Sequence, residues 1–157
     1  MNNINKIDCF SLFFSDETEM FRAPSEPDAG DCVTVRIRAP KLDEQLRIFL
    51  CLETISKIPM KRIDFTDFCD IYEAVFVCGT ELTFYYFEID FFSETYLYQK
   101  DGLKKKQIEK KSKDVFDFYF TPGFHTPSWA KGAVQYQIFP DRFYNADPSN
   151  DVRYGCS

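Results

Sequence analysis

The residues CVTVRIRA, 32–39, decide the fold. Val33, Val35 and Ile37 fall on one side of an extended chain, and Thr34, Arg36 and Arg38 on the other. That two-residue period belongs to a half-buried strand; a helix would scatter the same apolar residues around its axis. Pro24, Pro27 and Gly30 punctuate the chain before it, and Pro40 ends it. Further along, LRIFLCLE at 46–53 places Leu46, Ile48, Leu50 and Leu52 on one face. SKIPMKRID at 56–64 is a weaker strand, whose Pro59 suits an edge or a bulge. DIYEAVFVC at 70–78 and LTFYYFEIDF at 82–91 are joined through GTE, with Gly79 at the turn, which is a hairpin signature. TYLYQ at 95–99, VFDFYF at 115–120 and a first strand near 8–14 complete the series. About eight strands with no convincing helix between them predict an all-β chain, an antiparallel β-sandwich.

Composition agrees. The chain has 157 residues, enough for one domain with an appendage. Aromatic residues make up 18%, with 18 Phe and 9 Tyr, and aromatics favour strands or a sugar-facing surface. The net charge of −6 argues against a nucleic-acid partner, whose phosphates need a basic surface. Six cysteines, at 9, 32, 51, 69, 78 and 156, form no C-x-x-C and meet no histidine at a zinc spacing. They read as reduced thiols filling strand positions in a cytoplasmic protein. The N-terminal residues lack the pattern of a signal peptide, and no stretch approaches the length of a membrane span.

Two segments interrupt the strand pattern. KDGLKKKQIEKKSKD, 100–114, carries seven lysines. It can be read as an anion-binding patch or as a solvated hairpin loop, and the acidity of the whole chain favours the loop. TPGFHTPSWAKG, 121–132, holds Pro122, Gly123 and Pro127 and reads as an interdomain linker. His125, the one histidine, has no Ser or Cys nucleophile context and reads as a linker residue. Trp129 reads as a hydrophobic anchor at that boundary. AVQYQIF then begins a run that is largely apolar on both faces, as in a buried parallel strand.

The residues PSWAKGAVQYQIFPDRFYNADPSND, 127–151, closely resemble the opening of the catalytic barrel in glycoside hydrolase family thirteen, the α-amylase superfamily. More narrowly they resemble the neopullulanase, cyclomaltodextrinase and maltogenic amylase branch. FYYFEI at 84–89 and YLYQKDGL at 96–103 are weaker echoes of the same group. The resemblance implies an N-terminal immunoglobulin-like β-sandwich at 1–121, a family thirty-four carbohydrate-binding module, then a linker at 122–132, and at 133–157 the start of a truncated (β/α)8 barrel, with Val134–Phe139 as its first strand. A whole barrel takes about 250 residues, and the family's catalytic carboxylates lie on later strands. The expected parent is a retaining glycoside hydrolase acting on maltodextrins, cyclodextrins or pullulan; this chain alone is expected to be inactive, because hydrolysis needs two carboxyl groups flanking the bond. α-Glucan oligosaccharides and, in the full-length parent, a second copy are the implied partners. Neither nucleic acid nor membrane is expected.

NADPSND supplies Asn145, Asp147, Asn150 and Asp151. By spacing this is an Asx-rich turn or a site for a hard cation, which takes six to eight oxygen ligands. The resemblance implies a structural Ca2+ held by these four residues, with the family's remaining ligands further along the chain and Ala146 standing where the family has Gly. Asp141 and Arg142 read as a structural ion pair, and Tyr136 and Phe139 as barrel-core layers. Tyr85, Tyr86, Tyr96 and Tyr98 are candidate sugar-stacking rings by type, although about two-thirds of such strand aromatics belong to a core. The aromatic loop that the family carries after its third strand corresponds to LETISKIPM, 52–60, which has no aromatic residue. Three functions stay open from sequence: an accessory and dimerisation domain, a stand-alone carbohydrate-binding module, or a structural interaction domain.

Overall fold

A computed structural model describes residues 10–42, 46–53, 55–66, 68–91, 93–107, 114–134 and 137. The chain divides into two compact units, Met1–His125 and Thr126–Ser157. Every strand among the described residues lies in the first unit: β1 Arg22–Ala23, β2 Cys32–Pro40, β3 Arg47–Leu52, β4 Ile55–Pro59, β5 Lys61–Phe65, β6 Cys69–Val77, β7 Thr83–Phe91, β8 Glu94–Gln99, β9 Gly102–Lys105 and β10 Phe118–Phe120. They form two antiparallel sheets. One has the order β1-β2-β6-β5, the other β4-β3-β7-β8-β9, with β10 also paired to β7. This is the expected all-β sandwich. In the second unit Trp129 is exposed. Most of the expected barrel strand, Val134–Phe139, lies outside the described residues.

Alternation along the strands builds the core. Val33, Val35 and Ile37 on β2 are fully buried, as are Leu50 on β3 and Tyr85, Phe87 and Ile89 on β7. The Tyr85 ring stacks on Phe118 with centroids 5.2 Å apart, and Phe76 meets Phe120 at 6.3 Å, so β6 of one sheet touches β10 of the other. Such aromatic pairs add about 0.5–1.5 kcal/mol beyond the area they bury.

The expected β6–β7 hairpin does not form. β6 lies in the first sheet and β7 in the second, so Cys78–Leu82 is a bridge between layers. Five residues can reach about 16 Å, well beyond the roughly 10 Å that separates packed sheets. SKIPMKRID is likewise two strands rather than one. β4 ends at Pro59 on the edge of the second sheet, and β5 begins at Lys61 on the edge of the first. Buried Met60 sits at the corner, its amide donating to the Ile48 carbonyl at 2.9 Å. The expectation of an edge position for Pro59 therefore holds, because a proline has no N–H to give to a ladder.

Two further differences concern the ends of the series. Phe14 makes a single bridge to Arg38, through N–H···O contacts of 3.0 and 2.8 Å, instead of a full strand at 8–14; residues 1–9 lie outside the description. The lysine-rich segment is not wholly a loop. Gln99 pairs with Gly102 across a two-residue turn, and Gly102 has φ +102°, a backbone conformation open chiefly to glycine. The chain then pairs with β8 as edge strand β9. Lys104 is matched by Asp101, Lys105 by Glu94 at 2.6 Å and Lys106 by Glu88 at 3.0 Å. Charged side chains on an exposed edge oppose pairing with other chains.

Candidate functional site

The structure separates the tyrosine candidates. Tyr85, Tyr96 and Tyr98 are buried in the core. The Tyr98 hydroxyl accepts the Ser15 amide at 3.2 Å, and the Tyr96 hydroxyl is held by Glu94. Tyr86 points to the opposite face of β7, where it is half-buried beside Cys51, its register partner on β3. Burial pushes the Cys51 thiol up to about 11 and the Tyr86 phenol well above its ordinary range. At neutral pH both are protonated, so Cys51 is a packed thiol and no nucleophile. Two residues on, Glu88 is buried on the same outer face and is held by Lys57 and by Lys106. A carboxylate there needs these partners, since an unpaired buried charge is costly. The three buried rings offer no open face to a sugar, whereas Tyr86 keeps partial exposure on the outer face of β7.

Asn145, Asp147, Asn150 and Asp151 lie outside the described residues, as do Asp141, Arg142, Tyr136 and Phe139. Among the described residues no group of three or more His, Cys, Asp or Glu side chains could hold a metal ion. Cys32, Cys51, Cys69 and Cys78 are free thiols. His125 Nε2 lies 3.1 Å from Asp28 Oδ1, and Nδ1 lies 3.9 Å from Glu26. The Gly123 amide donates to the Pro27 carbonyl at 2.9 Å, so the residues after β10 are tied to the loop before β2.

A concave site opens where the chain crosses between the sheets. Leu52 and Glu53 at the end of β3, Phe76 and Val77 at the end of β6, and the residues Gly79–Phe84 line an open cleft of about 280 Å³. The local sequence explains its shape. The Glu53 amide donates to the Phe84 carbonyl at 3.3 Å, holding the end of β3 against β7. The Cys78 carbonyl accepts the Gly30 amide at 2.9 Å and the Cys78 amide donates to Asp31 at 2.8 Å, anchoring the start of the crossover. Thr83 Oγ1 donates to the Glu81 carbonyl at 3.1 Å, which fixes the far end. Phe84 forms an aromatic wall and leans on Tyr119, with ring centroids 5.8 Å apart. Val77 and Leu82 leave apolar surface exposed at the site, 64% and 45% respectively.

Its lining mixes apolar side chains with hydrogen-bonding groups. Glu53 and Glu81 supply acceptors, Thr80 and Thr83 supply hydroxyls, and no cationic side chain lines it. A retaining glycosidase also uses two carboxyl groups, but holds them about 5–5.5 Å apart across the bond, with one kept protonated by an apolar environment. Glu53 and Glu81 are solvent exposed, which suits hydrogen bonding to a ligand rather than bond cleavage. Sequence reading missed this cleft because it took GTE for a hairpin turn. Its one legible trace was the pair of glutamates placed just after an apolar strand and just before one.

Similar proteins fit this architecture. An amylopullulanase of Thermoanaerobacter thermohydrosulfuricus is 32% identical over 144 residues, which is 83% of this chain and 10% of that protein. Neopullulanase 2 of Thermoactinomyces vulgaris is 39% identical over 92 residues, 52% of this chain and 14% of that one. The chain thus spans a small part of each relative. Among solved structures, a cyclomaltodextrinase aligns with TM-score 0.56 at 20% identity, over 92% of this chain and 26% of that one. A maltogenic amylase from S. marinus aligns with TM-score 0.54 at 18% identity, over 95% and 20% of the two chains. At such identities these two likenesses speak to the fold. No family model matches the chain. The chain is a homologue of the N-terminal region of glycoside hydrolase family thirteen enzymes of the amylopullulanase, neopullulanase and cyclomaltodextrinase type, the group that residues 127–151 resemble.

Proposed function

We propose that the chain is the accessory N-terminal region of an enzyme that hydrolyses O-glycosidic bonds in maltodextrins, cyclodextrins or pullulan, and that its sandwich helps to hold the α-glucan. The observation that carries this reading is the match of most of the chain to a tenth of an amylopullulanase, together with the sandwich fold. In this reading residues 1–121 are the glucan-handling module, 122–132 the linker and 133–157 the start of the catalytic barrel. The barrel works by the two-carboxylate retaining route, with both carboxylates outside this chain. Asn145, Asp147, Asn150 and Asp151 contribute four oxygen donors to a structural Ca2+, whose preference for six to eight oxygens leaves room for more ligands. The full-length enzyme is a cytoplasmic homodimer. Among the described residues no helix is long and apolar enough to cross a membrane.

Native electrophoresis of the 157-residue chain through gels containing soluble starch or pullulan tests this, with a reducing-sugar assay alongside. The expected result is retardation by α-glucans but not by β-linked hydroxyethyl cellulose, and no release of reducing sugar. Release of sugar by the chain alone, or equal mobility in every gel, would overturn it.

A further inference from the structure

The β6–β7 crossover cleft is a built feature that the accessory role does not by itself explain. Its turn is pinned at both ends by backbone and threonine hydrogen bonds. Apolar side chains stand exposed around it, Val77 at 64% and Leu82 at 45%. Exposed apolar surface around a concavity marks a place that something covers. We propose that this cleft binds one glucosyl unit of an α-glucan, a step that rests on the reading of the chain as part of an α-glucan hydrolase.

Three features select this ligand. With no cationic side chain in the lining, phosphate and other anions have no partner. Two exposed carboxylates, Glu53 and Glu81, with no third His, Cys, Asp or Glu beside them, are too few for a metal ion among the described residues. What is left is an amphipathic lining: Phe84, Leu82 and Val77 to meet the C–H faces of a pyranose, and Glu53, Glu81, Thr80 and Thr83 to meet its hydroxyls. The volume of about 280 Å³ sits at the lower end for a small-molecule pocket, which limits the ligand to a single ring or little more. Tyr119, an exposed ring beside Phe84, is not the platform. Lys100 Nζ lies 4.0 Å from its centroid and Phe84 leans on it from 5.8 Å.

The test is amide NMR titration of the full chain with maltotriose, with cellotriose as the β-linked control. Maltotriose shifts should concentrate at Glu53 and Gly79–Phe84. Glu81→Gln and Glu53→Gln keep the side-chain shape and should each weaken binding about tenfold, the loss of one charge-assisted hydrogen bond. Gly79→Leu is the blocking variant. A Cβ at Gly79 meets no atom within 4 Å and its φ is not in the glycine-only region, so the substitution fills open space without strain. It should abolish the maltotriose shifts and leave the thermal midpoint unchanged. Shifts centred elsewhere, or affinity that survives all three substitutions, would overturn the cleft while leaving the retardation by starch gels, and with it the accessory reading, intact. Loss of both the shifts and the gel retardation in the unsubstituted chain would remove the wider reading as well.

Discussion

Replacing Arg22 with methionine should remove a large part of the stability of the sandwich. Arg22 lies on the short edge strand β1 of the first sheet and its side chain is 7% exposed. Its Nε and Nη2 donate to the Ser25 carbonyl at 3.2 and 2.9 Å, and Nη1 donates to the Tyr119 carbonyl of β10 at 3.2 Å. Glu17 faces it at 3.5 Å and also takes Lys100 at 3.0 Å and the Tyr119 amide at 3.2 Å. One guanidinium thus ties β1 to β10, which belongs to the other sheet. Methionine keeps the apolar stem but deletes all three donors. Charge-assisted hydrogen bonds contribute about 1.5–3 kcal/mol each; these three share two acceptors, so the net loss is about 3 kcal/mol, the lower limit for breaking a buried ionic contact. For a sandwich of this size that is a fall in Tm of about 10 °C. Urea unfolding followed by far-ultraviolet circular dichroism measures it. Glu17→Gln is the control: its carboxylate is 36% exposed and its removal should cost about 1 kcal/mol or less. If Arg22→Met costs no more than Glu17→Gln, the guanidinium is not the tie between the sheets.

Two other outcomes follow from local features. Ser93, at the β7–β8 turn, has φ +59°, which costs a non-glycine residue about 1 kcal/mol, so Ser93→Gly should raise the unfolding free energy by a few tenths to about 1 kcal/mol; unchanged or lower stability in urea would contradict this. Burial pushes the Tyr85 phenol up to about 12, against the opposing pull of the Arg22 charge, and also raises Tyr72, Tyr86 and Tyr98. A phenol raised in the folded state favours folding fully below its ordinary value near 10, and that contribution disappears as pH climbs through the folded value. Absorbance at alkaline pH should therefore show a late class of tyrosines that titrates together with unfolding above pH 10, whereas a single class with the ordinary midpoint would contradict the burial.

The parts of the fold that sequence disclosed are those coded by period. Val33, Val35 and Ile37 could face a core only from a strand, and they do. Tyr85, Phe87 and Ile89 follow the same rule, and for that reason most of the tyrosines expected in the core are there. What sequence did not disclose is which sheet each strand joins. β6 and β7 both alternate with period two, and a turn with glycine serves either a hairpin or a crossover. The difference lies in whether inward residues such as Phe76 and Phe87 pack side by side or across the core from each other, which is a property of the assembled layers. The lysines at 104–106 were misread for a related reason. In a list of residues they are part of a run of seven lysines in one segment, whereas in the fold Glu94, Asp101 and Glu88 stand opposite these three.

The two sheet changes have a common consequence for function. A hairpin between β6 and β7 would have put Glu81 and Leu82 at the tip of one sheet, with no wall opposite. Because the chain crosses the core, those residues close over the end of the sandwich and face Leu52 and Glu53 from β3. Met60, at the other crossing, is buried and its backbone is fixed to Ile48. The two crossings differ in their residues. The Met60 crossing buries an apolar side chain, whereas Gly79 and Thr80 line the cleft at the other. A glycine at position 79 is not demanded by the backbone, since its φ lies outside the positive range and a Cβ would meet nothing. Gly79 lines the cleft and a side chain there meets open space, so the Gly79→Leu substitution tests the functional proposal at a position where the backbone does not require glycine.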